Sequence, residues 1–219
     1  MHVIALASRK GGSGKTTLTS HLAVAAEAAG VGPVAVIDTD PQGGLAGWWN
    51  ARAADTPRWI DPTVHGLPDA VSAARDAGYG LLLIDTPPSV AATISEVLAV
   101  ADLVVIPVRP SPNDLRAVGG TLELAKRARC RMVFVVNQAT QRARITAEAA
   151  ILLSQHGTVA PVMIHARVDF ATSMTDGRTA GELDPASRSG AEIAGLWTYL
   201  HNLLTEDERY AEAESRAAE

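Results

Sequence analysis

An apolar run, His2 to Ala7, empties into a glycine-rich loop that ends in Lys15-Thr16-Thr17 and enters a helical pattern reaching Ala29. Glycines at 11, 12 and 14 let backbone N–H groups turn inward around an anion without Cβ interference. A helix beginning at Lys15 points its N-terminal partial positive charge at the same place. Lys15 can reach the β/γ-phosphates of a nucleotide, and the Thr16 hydroxyl can ligate Mg²⁺. Strand, phosphate loop and helix in that order form one βα unit of a sheet whose carboxyl edge carries ligands.

The rest of the chain repeats this alternation. Strands over 33–37, 81–84, 103–108, 132–136 and 162–164 are interleaved with helices over 45–54, 67–77, 93–100, 113–127, 146–155 and 189–204. Short, continuously apolar strands separated by helices predict an α/β doubly wound fold, a mostly parallel sheet with helices on both faces. With 219 residues, 47% of them hydrophobic and only 4% aromatic, one domain over 1–204 with an aliphatic core is expected. Residues 205–219 hold six acids against two arginines and read as an acidic tail, either a frayed helical extension or disordered. That tail accounts for −4 of the net charge of −5, which does not advertise a nucleic-acid binder. The single cysteine, Cys130, excludes an intrachain disulfide and a multi-cysteine metal site within one chain. No apolar stretch approaches the roughly 20 residues that span a bilayer, and no cleavable leader is apparent. The expected location is cytoplasmic.

Two further strand ends carry acids. Asp38 and Asp40 flank Thr39 after Val34–Ile37, so in an extended segment they point the same way. Asp85 closes the run Leu81-Leu82-Leu83-Ile84. A hard Mg²⁺ keeps several waters and is held through few carboxylates, so Asp85 is expected to act mainly through water. Taken singly, each acid is equally a helix cap or a turn aspartate. Asn137, ending the 132–136 strand, offers an amide donor and acceptor to an adenine edge, or simply forms a turn.

The ordinary phosphate-loop pattern wants glycine at position 9, where this chain has Arg9 followed by Lys10. Two of its three lysines lie in this loop, among 19 basic residues in all. The resulting Lys10-Gly11-Gly12-Ser13-Gly14-Lys15-Thr16-Thr17 resembles the deviant Walker A motif of the ParA/MinD family of P-loop ATPases. Asp38-Thr39-Asp40-Pro41-Gln42 is similar to that family's A′ motif, and Leu81–Asp85 to its Walker B strand. Pro107-Val108-Arg109-Pro110-Ser111 is similar to its I-P-V-x-P-S loop, which packs a dimer or nucleotide or is merely a stiff connection. Asp184–Glu192 resembles the segment before its last helix. The likeness runs from Met1 to about Leu204, and is to the small ParA type without an N-terminal helix-turn-helix.

The resemblance implies a slow ATPase, stimulated by partner and DNA, that uses ATP and Mg²⁺. ATP would be bound by Lys10, Gly11, Gly12, Ser13, Gly14, Lys15, Thr16, Thr17 and Asn137, and the metal by Thr16, Asp38 and Asp85. Catalysis would fall to Lys15, to Asp40 on the attacking water, and to Lys10 reaching across a nucleotide-sandwich homodimer. The ATP-bound dimer would bind nonspecific DNA, with Arg188, Arg167 and Arg178 as contacts, and would be nucleoid-associated. A second basic group, Lys126, Arg127, Arg129 and Arg131, sits where cations also complement a helix dipole. A ParB-like, centromere-binding adaptor would stimulate hydrolysis, making the implied function partition of plasmid or chromosomal DNA. The same switch would equally position a non-DNA cargo, such as a microcompartment or chemoreceptor cluster. A MinD-like division regulator is disfavoured because residues 205–219 are acidic and poor in apolar bulk, so an anionic membrane repels them. A metabolic enzyme is disfavoured because Cys130 belongs to no matching motif.

Overall fold

The computed structural model describes residues 1–62, 66–88 and 90–217, with side chains as far as Glu206. In chain order it contains β1 (His2–Leu6), α1 (Lys15–Ala28), β2 (Val34–Asp38), α2 (Gly44–Ala51), β3 (Arg58–Trp59), α3 (Leu67–Asp76), β4 (Leu81–Asp85) and α4 (Ala91–Val100). These are followed by β5 (Leu103–Val108), α5 (Pro112–Ala128), β6 (Met132–Val136), α6 (Arg144–Ser154), β7 (Thr158–Val159), α7 (Val168–Met174), α8 (Ala180–Leu183) and α9 (Arg188–Ala217).

The strands form one seven-stranded sheet in the order β3-β2-β4-β1-β5-β6-β7, and every pairing is parallel. The chain leaves β1 towards β2 on one side and leaves β5 towards β6 on the other. Their carboxyl ends therefore border a topological switch point, where open α/β sheets open a crevice for ligands. The sheet is buried from both sides. Ile4, Leu6, Val36, Leu83, Val105 and Val135 pack against α1, α2 and α9. Their neighbours Val3, Ala5, Ala35, Leu82, Val104 and Phe134 meet α3 to α6. Covering both faces is why these strands read as unbroken apolar runs, each buried large side chain contributing about 1.5–3 kcal/mol.

Three features depart from the sequence reading. No strand forms over 162–164. Residues 158–159 pair with β6 instead, and Pro161, lacking an N–H, interrupts the ladder before the chain rejoins the end of β6 through Ile164 N to Val136 O (3.0 Å). The short elements β3, α7 and α8 have no counterpart in the sequence pattern. Helix α9 does not end at Leu204 but continues through Ala217, so of the two forms expected for the tail its described part takes the helical one; residues 218–219 lie outside the described part. Among the described residues, no helix is long and apolar enough to cross a membrane.

Helix α1 is tied to the C-terminal helices by His21, which is 1% exposed. Its Nδ1 lies 2.8 Å from Thr17 O and its Nε2 lies 3.1 Å from Ala180 N. A carbonyl only accepts and an amide N–H only donates, so the neutral ring protonated at Nδ1 satisfies both. A second proton would face the Ala180 N–H. Burial therefore pushes the imidazole down to about 4, against a smaller upward pull from the Thr17 carbonyl. An unfolded histidine titrates near 6.5, so the unfolded chain takes up this proton first as pH falls. The stability from neutral His21 is complete above about pH 6.5 and drains away towards pH 4. Between pH 7.5 and 5.0, wild type should lose about 2 kcal/mol more than His21→Gln in urea unfolding. Equal losses would remove His21 as the source.

Candidate nucleotide-binding site

The phosphate loop leaves the carboxyl end of β1 and closes onto the first turn of α1. Gly12 and Gly14 hold φ angles of 72° and 93°, the left-handed region that glycine enters without penalty. The loop is braced from the end of β6. Asn137 Nδ2 donates to Ser13 O at 2.7 Å, and Gln138 Nε2 donates to Gly12 O at 3.0 Å. With carbonyls of the loop drawn to these amides, the first N–H groups of α1, which have no intrahelical acceptor, face the anion position.

Lys15 is buried at 7% exposure, and burial lowers its pKa, while Asp85 and Asp40 pull the other way. Its charge is held in a dry place awaiting a stronger partner. Thr16 Oγ1 donates to Asp85 Oδ2 at 2.5 Å. Asp85 itself is pushed up to about 7, chiefly by burial and further by the charges of Asp38 and Asp40, against the Thr16 hydrogen bond and the Lys15 field. Thr39 fastens the two strand ends together, its N and Oγ1 both donating to Asp85 O, at 3.0 and 2.7 Å.

Asp38 stands beside Asp85 in register, but its oxygens are already engaged. Oδ1 accepts from Asp40 N at 2.9 Å, and Oδ2 accepts from Leu45 N and Ala46 N at 3.0 and 3.1 Å. Asp38 thus caps α2 and shapes the turn that carries Asp40; burial raises its carboxyl despite these bonds. Asp40, half-buried, accepts from Gln42 N at 3.0 Å.

Ser13 Oγ and Asp85 Oδ1 are buried with no hydrogen-bond partner. Such orphaned oxygens carry a cost unless a ligand satisfies them. Asp85, with the Thr16 hydroxyl hydrogen-bonded to its other oxygen, offers an all-oxygen pair suited to a hard divalent cation. Among the described residues no three His, Cys, Asp or Glu side chains converge to hold a metal by protein alone. That suits Mg²⁺, which is typically held by one or two carboxylates, water and phosphate oxygens.

Two cavities flank the loop. One, of about 270 Å³, lies beside Gly14 and Thr17 and is walled by Leu18, Asn137, Ile164 and Phe170, apolar enough for a flat base. Asn137 borders it at 4% exposure, yet its N–H is committed to the loop, a bracing role that neither sequence alternative anticipated. Arg167 also borders this cavity, and its Nη2 pairs with Glu192 at 2.5 Å. The arginine nominated for DNA therefore sits largely buried on the nucleotide side. Neither of the other two nominees lines this cavity: Arg178 is exposed and paired with Asp176 at 2.6 Å, and Arg188 is exposed on the first residue of α9, one turn before Glu192.

The second cavity, of about 380 Å³, is lined by Lys10, Arg109, Ser111, Asp114, Gln138 and Thr140, among others. Arg109 Nε donates to Asp114 Oδ1 at 2.9 Å. Burial alone would raise Asp114, but Arg109, Ser111 and the Lys10 charge together hold it below the usual carboxylate range. Arg9, the departure from the ordinary pattern, turns onto α5. Its N donates to Thr121 Oγ1 at 3.0 Å, and a Cβ at Gly120 would come within 2.5 Å of its guanidinium. Gln138 and Asp114 escaped the sequence reading, which named Arg109 only as part of the 107–111 loop; Gln138 follows the end of β6 and Asp114 lies in the first turn of α5.

Residues 4–180 match the CobQ/CobB/MinD/ParA nucleotide binding domain. The chain is 28% identical over 198 residues to the maintenance of carboxysome distribution protein A of Halothiobacillus neapolitanus, spanning 86% of this chain and 91% of that one. It is 35% identical over 156 residues to the chromosome-partitioning ATPase Soj of Thermus thermophilus, spanning 58% and 62%. In structure it resembles apo McdA of Cyanothece, with a TM-score of 0.74 at 15% identity over 91% and 99% of the two chains. It also resembles MinD of Aquifex aeolicus, at 0.72 and 18% identity over 92% and 98%. With its phosphate loop, buried lysine and strand-end acids in place, the chain belongs to the CobQ/CobB/MinD/ParA nucleotide-binding family and is a P-loop ATPase of the ParA/MinD type.

Proposed function

We propose that this ATPase is an ATP-driven dimerisation switch that spaces a protein-bounded cargo, a carboxysome or a similar microcompartment, over nonspecific DNA. The observation that carries the cargo is the length of the likeness: it runs through 86% of this chain for the Halothiobacillus carboxysome-distribution protein, against 58% for Soj. What favours the switch is the placement of Lys10 in the lining of an open polar cavity that it shares with Arg109, Asp114 and Gln138.

In this reading Lys15 and the N–H groups of α1 hold the nucleotide, and Lys10 reaches the nucleotide of a second copy. Thr16 and Asp85 hold Mg²⁺, while Asp38 fixes the turn from which Asp40 orients the attacking water. Bound Mg²⁺ supplies charge neutralisation at the phosphate oxygens. Turnover by the isolated chain is slow because the site is incomplete until a second copy and an adaptor arrive. Arg188, exposed at the start of α9, is the preferred DNA contact, and Arg178 contributes once released from Asp176.

Soj and a ParA protein of Rhizobium radiobacter, at 35% and 31% identity, favour a second reading. In it the cargo is plasmid or chromosomal DNA joined through a ParB-like adaptor.

Retention on a surface coated with random-sequence DNA should require ATP, fail with ADP, and weaken as salt rises. Arg188→Ala should lower the slope of log affinity against log salt by about 2 per dimer, one phosphate contact per copy. Retention without nucleotide would sink the switch. For the cargo, a strain lacking the protein should show clumped microcompartments and normal inheritance of plasmid and chromosome. Lost inheritance with evenly spaced compartments would select the second reading.

A further inference from the structure

The loop that leaves β5 carries a residue to which none of the motifs above gives a duty. Its pattern, I-P-V-x-P-S, leaves one position open, and this chain fills it with Arg109. Pro110 and Pro112 stiffen the backbone on either side of Ser111, whose side chain caps α5 by accepting from Asp114 N at 3.2 Å. The Arg109 guanidinium is held by two of its nitrogens. Nε donates to Asp114 Oδ1 at 2.9 Å and Nη2 donates to Asp114 Oδ2 at 3.2 Å, a two-pronged pairing that fixes the plane of the group. Asp114 is 5% exposed and also accepts from Ser111 Oγ, so the anchor itself is fixed.

The remaining nitrogen, Nη1, takes no part in that pairing and lies against the phosphate loop. A Cβ built on Gly12 would come 3.8 Å from it, an ordinary contact distance. The two cavities beside the loop meet it at different ends. The base cavity borders Gly14 and Thr17, where the loop enters α1, whereas Arg109 stands over Gly12 and lines the other cavity with Lys10. A nucleotide with its base in the first cavity rests its inner phosphates on the N–H groups of α1. Its outermost phosphate then runs back along the loop, towards Gly11 and Gly12. ADP ends short of that place, and ATP reaches it. A pairing that only tethers the loop to α5 accounts for Nε and Nη2, but leaves Nη1, over the phosphate cradle, with nothing to hold.

We infer that Arg109 tells ATP from ADP: its Nη1 donates to the terminal phosphate of the nucleotide held by the same chain, and Asp114 positions it. This role rests on the nucleotide site and not on the switch, DNA or cargo proposed above. A guanidinium suits it because one edge can bind the carboxylate while the other still donates, which a compact ammonium does less well.

Titration calorimetry with Mg²⁺ and either ADP or the non-hydrolysable ATP analogue AMPPNP reads the preference directly. Arg109→Gln should weaken AMPPNP about tenfold, the worth of one charge-assisted hydrogen bond, and leave ADP within about twofold. The unchanged ADP affinity also shows that the variant is folded. Asp114→Asn removes a negative charge near the phosphates, so charge alone predicts tighter AMPPNP binding. Loss of aim predicts weaker AMPPNP binding with ADP unchanged, and that is the expected result. Arg109→Gln in a Lys10→Ala background, which lacks the contact assigned to a second copy, should show the same loss. The proposal is overturned if Arg109→Gln weakens both nucleotides equally, as a loosened loop would, or weakens neither. It is overturned if Asp114→Asn binds AMPPNP more tightly than wild type. It is equally overturned if the effect of Arg109→Gln disappears without Lys10, because the arginine then serves the nucleotide of a second copy. All of these outcomes leave the DNA and cargo readings to their own tests, surface retention and compartment spacing.

Discussion

Lys15→Ala should bind ATP with Mg²⁺ at least about a hundredfold more weakly than wild type, a loss near 3 kcal/mol, while the empty protein stays folded. Lys15 sits 7% exposed at the mouth of α1, and burial lowers its pKa because the opposing pull of Asp85 and Asp40 does not repay the lost hydration. An ammonium held so is a poor contributor to the stability of the empty fold. It is a strong ligand for an arriving triphosphate, because the desolvation has already occurred. Its removal should leave unfolding free energy within about 1 kcal/mol of wild type, the loss of the packed stem offsetting the relief of a buried charge. Titration calorimetry gives the affinity, and thermal melts with and without nucleotide separate binding from folding. Lys15→Met, which keeps most of the stem, should match the alanine variant in affinity. A dissociation constant within threefold of wild type would remove Lys15 from the phosphate site.

Much of the fold was legible because burial on both faces writes itself as runs such as Leu81–Ile84 and Leu103–Val108, and parallel strands need helical crossovers. What escaped was short or set by distant contacts. The two residues of β7 gave no period to read, and Pro161 hid the place where the chain leaves β6. At the site, the residue types were legible but their duties were only partly so. Asp38 was expected to support the Mg²⁺ shell, and its capping of α2 was not legible, because that cap depends on where Leu45 and Ala46 turn in space. Arg167 was placed among the DNA contacts through the family resemblance, and its pairing with Glu192 on α9 could not be read from local sequence. Asn137 could be placed at the sheet edge from sequence, but its bond to Ser13 joins residues 124 positions apart. Local pattern carries no trace of such a pairing.

That bond makes the second large effect testable. Gly14→Ala should destabilise the protein by about 3 kcal/mol and abolish nucleotide binding, although it adds a single methyl group. Two costs combine. At φ 93° a Cβ is strained, at roughly 1–2 kcal/mol. The same Cβ would lie 2.3 Å from Asn137 Nδ2, so the amide must swing away and abandon Ser13 O in a buried place, at about 1–3 kcal/mol. Asn137→Ala alone removes the brace without the clash and should cost about 1–2 kcal/mol. In the double variant the methyl has room and the hydrogen bond is already gone, so only the backbone strain is added. The double variant should therefore be at least about 1 kcal/mol more stable than the sum of the single losses predicts. Urea unfolding of the four proteins measures this coupling, and strict additivity would mean that Asn137 is not the obstacle. Nucleotide binding should stay lost in the double variant, because a strained alanine in place of Gly14 still misdirects the first N–H groups of α1. Stability partly recovered with binding still absent would separate the two tasks of this glycine, making room for the brace from β6 and aiming the phosphate loop.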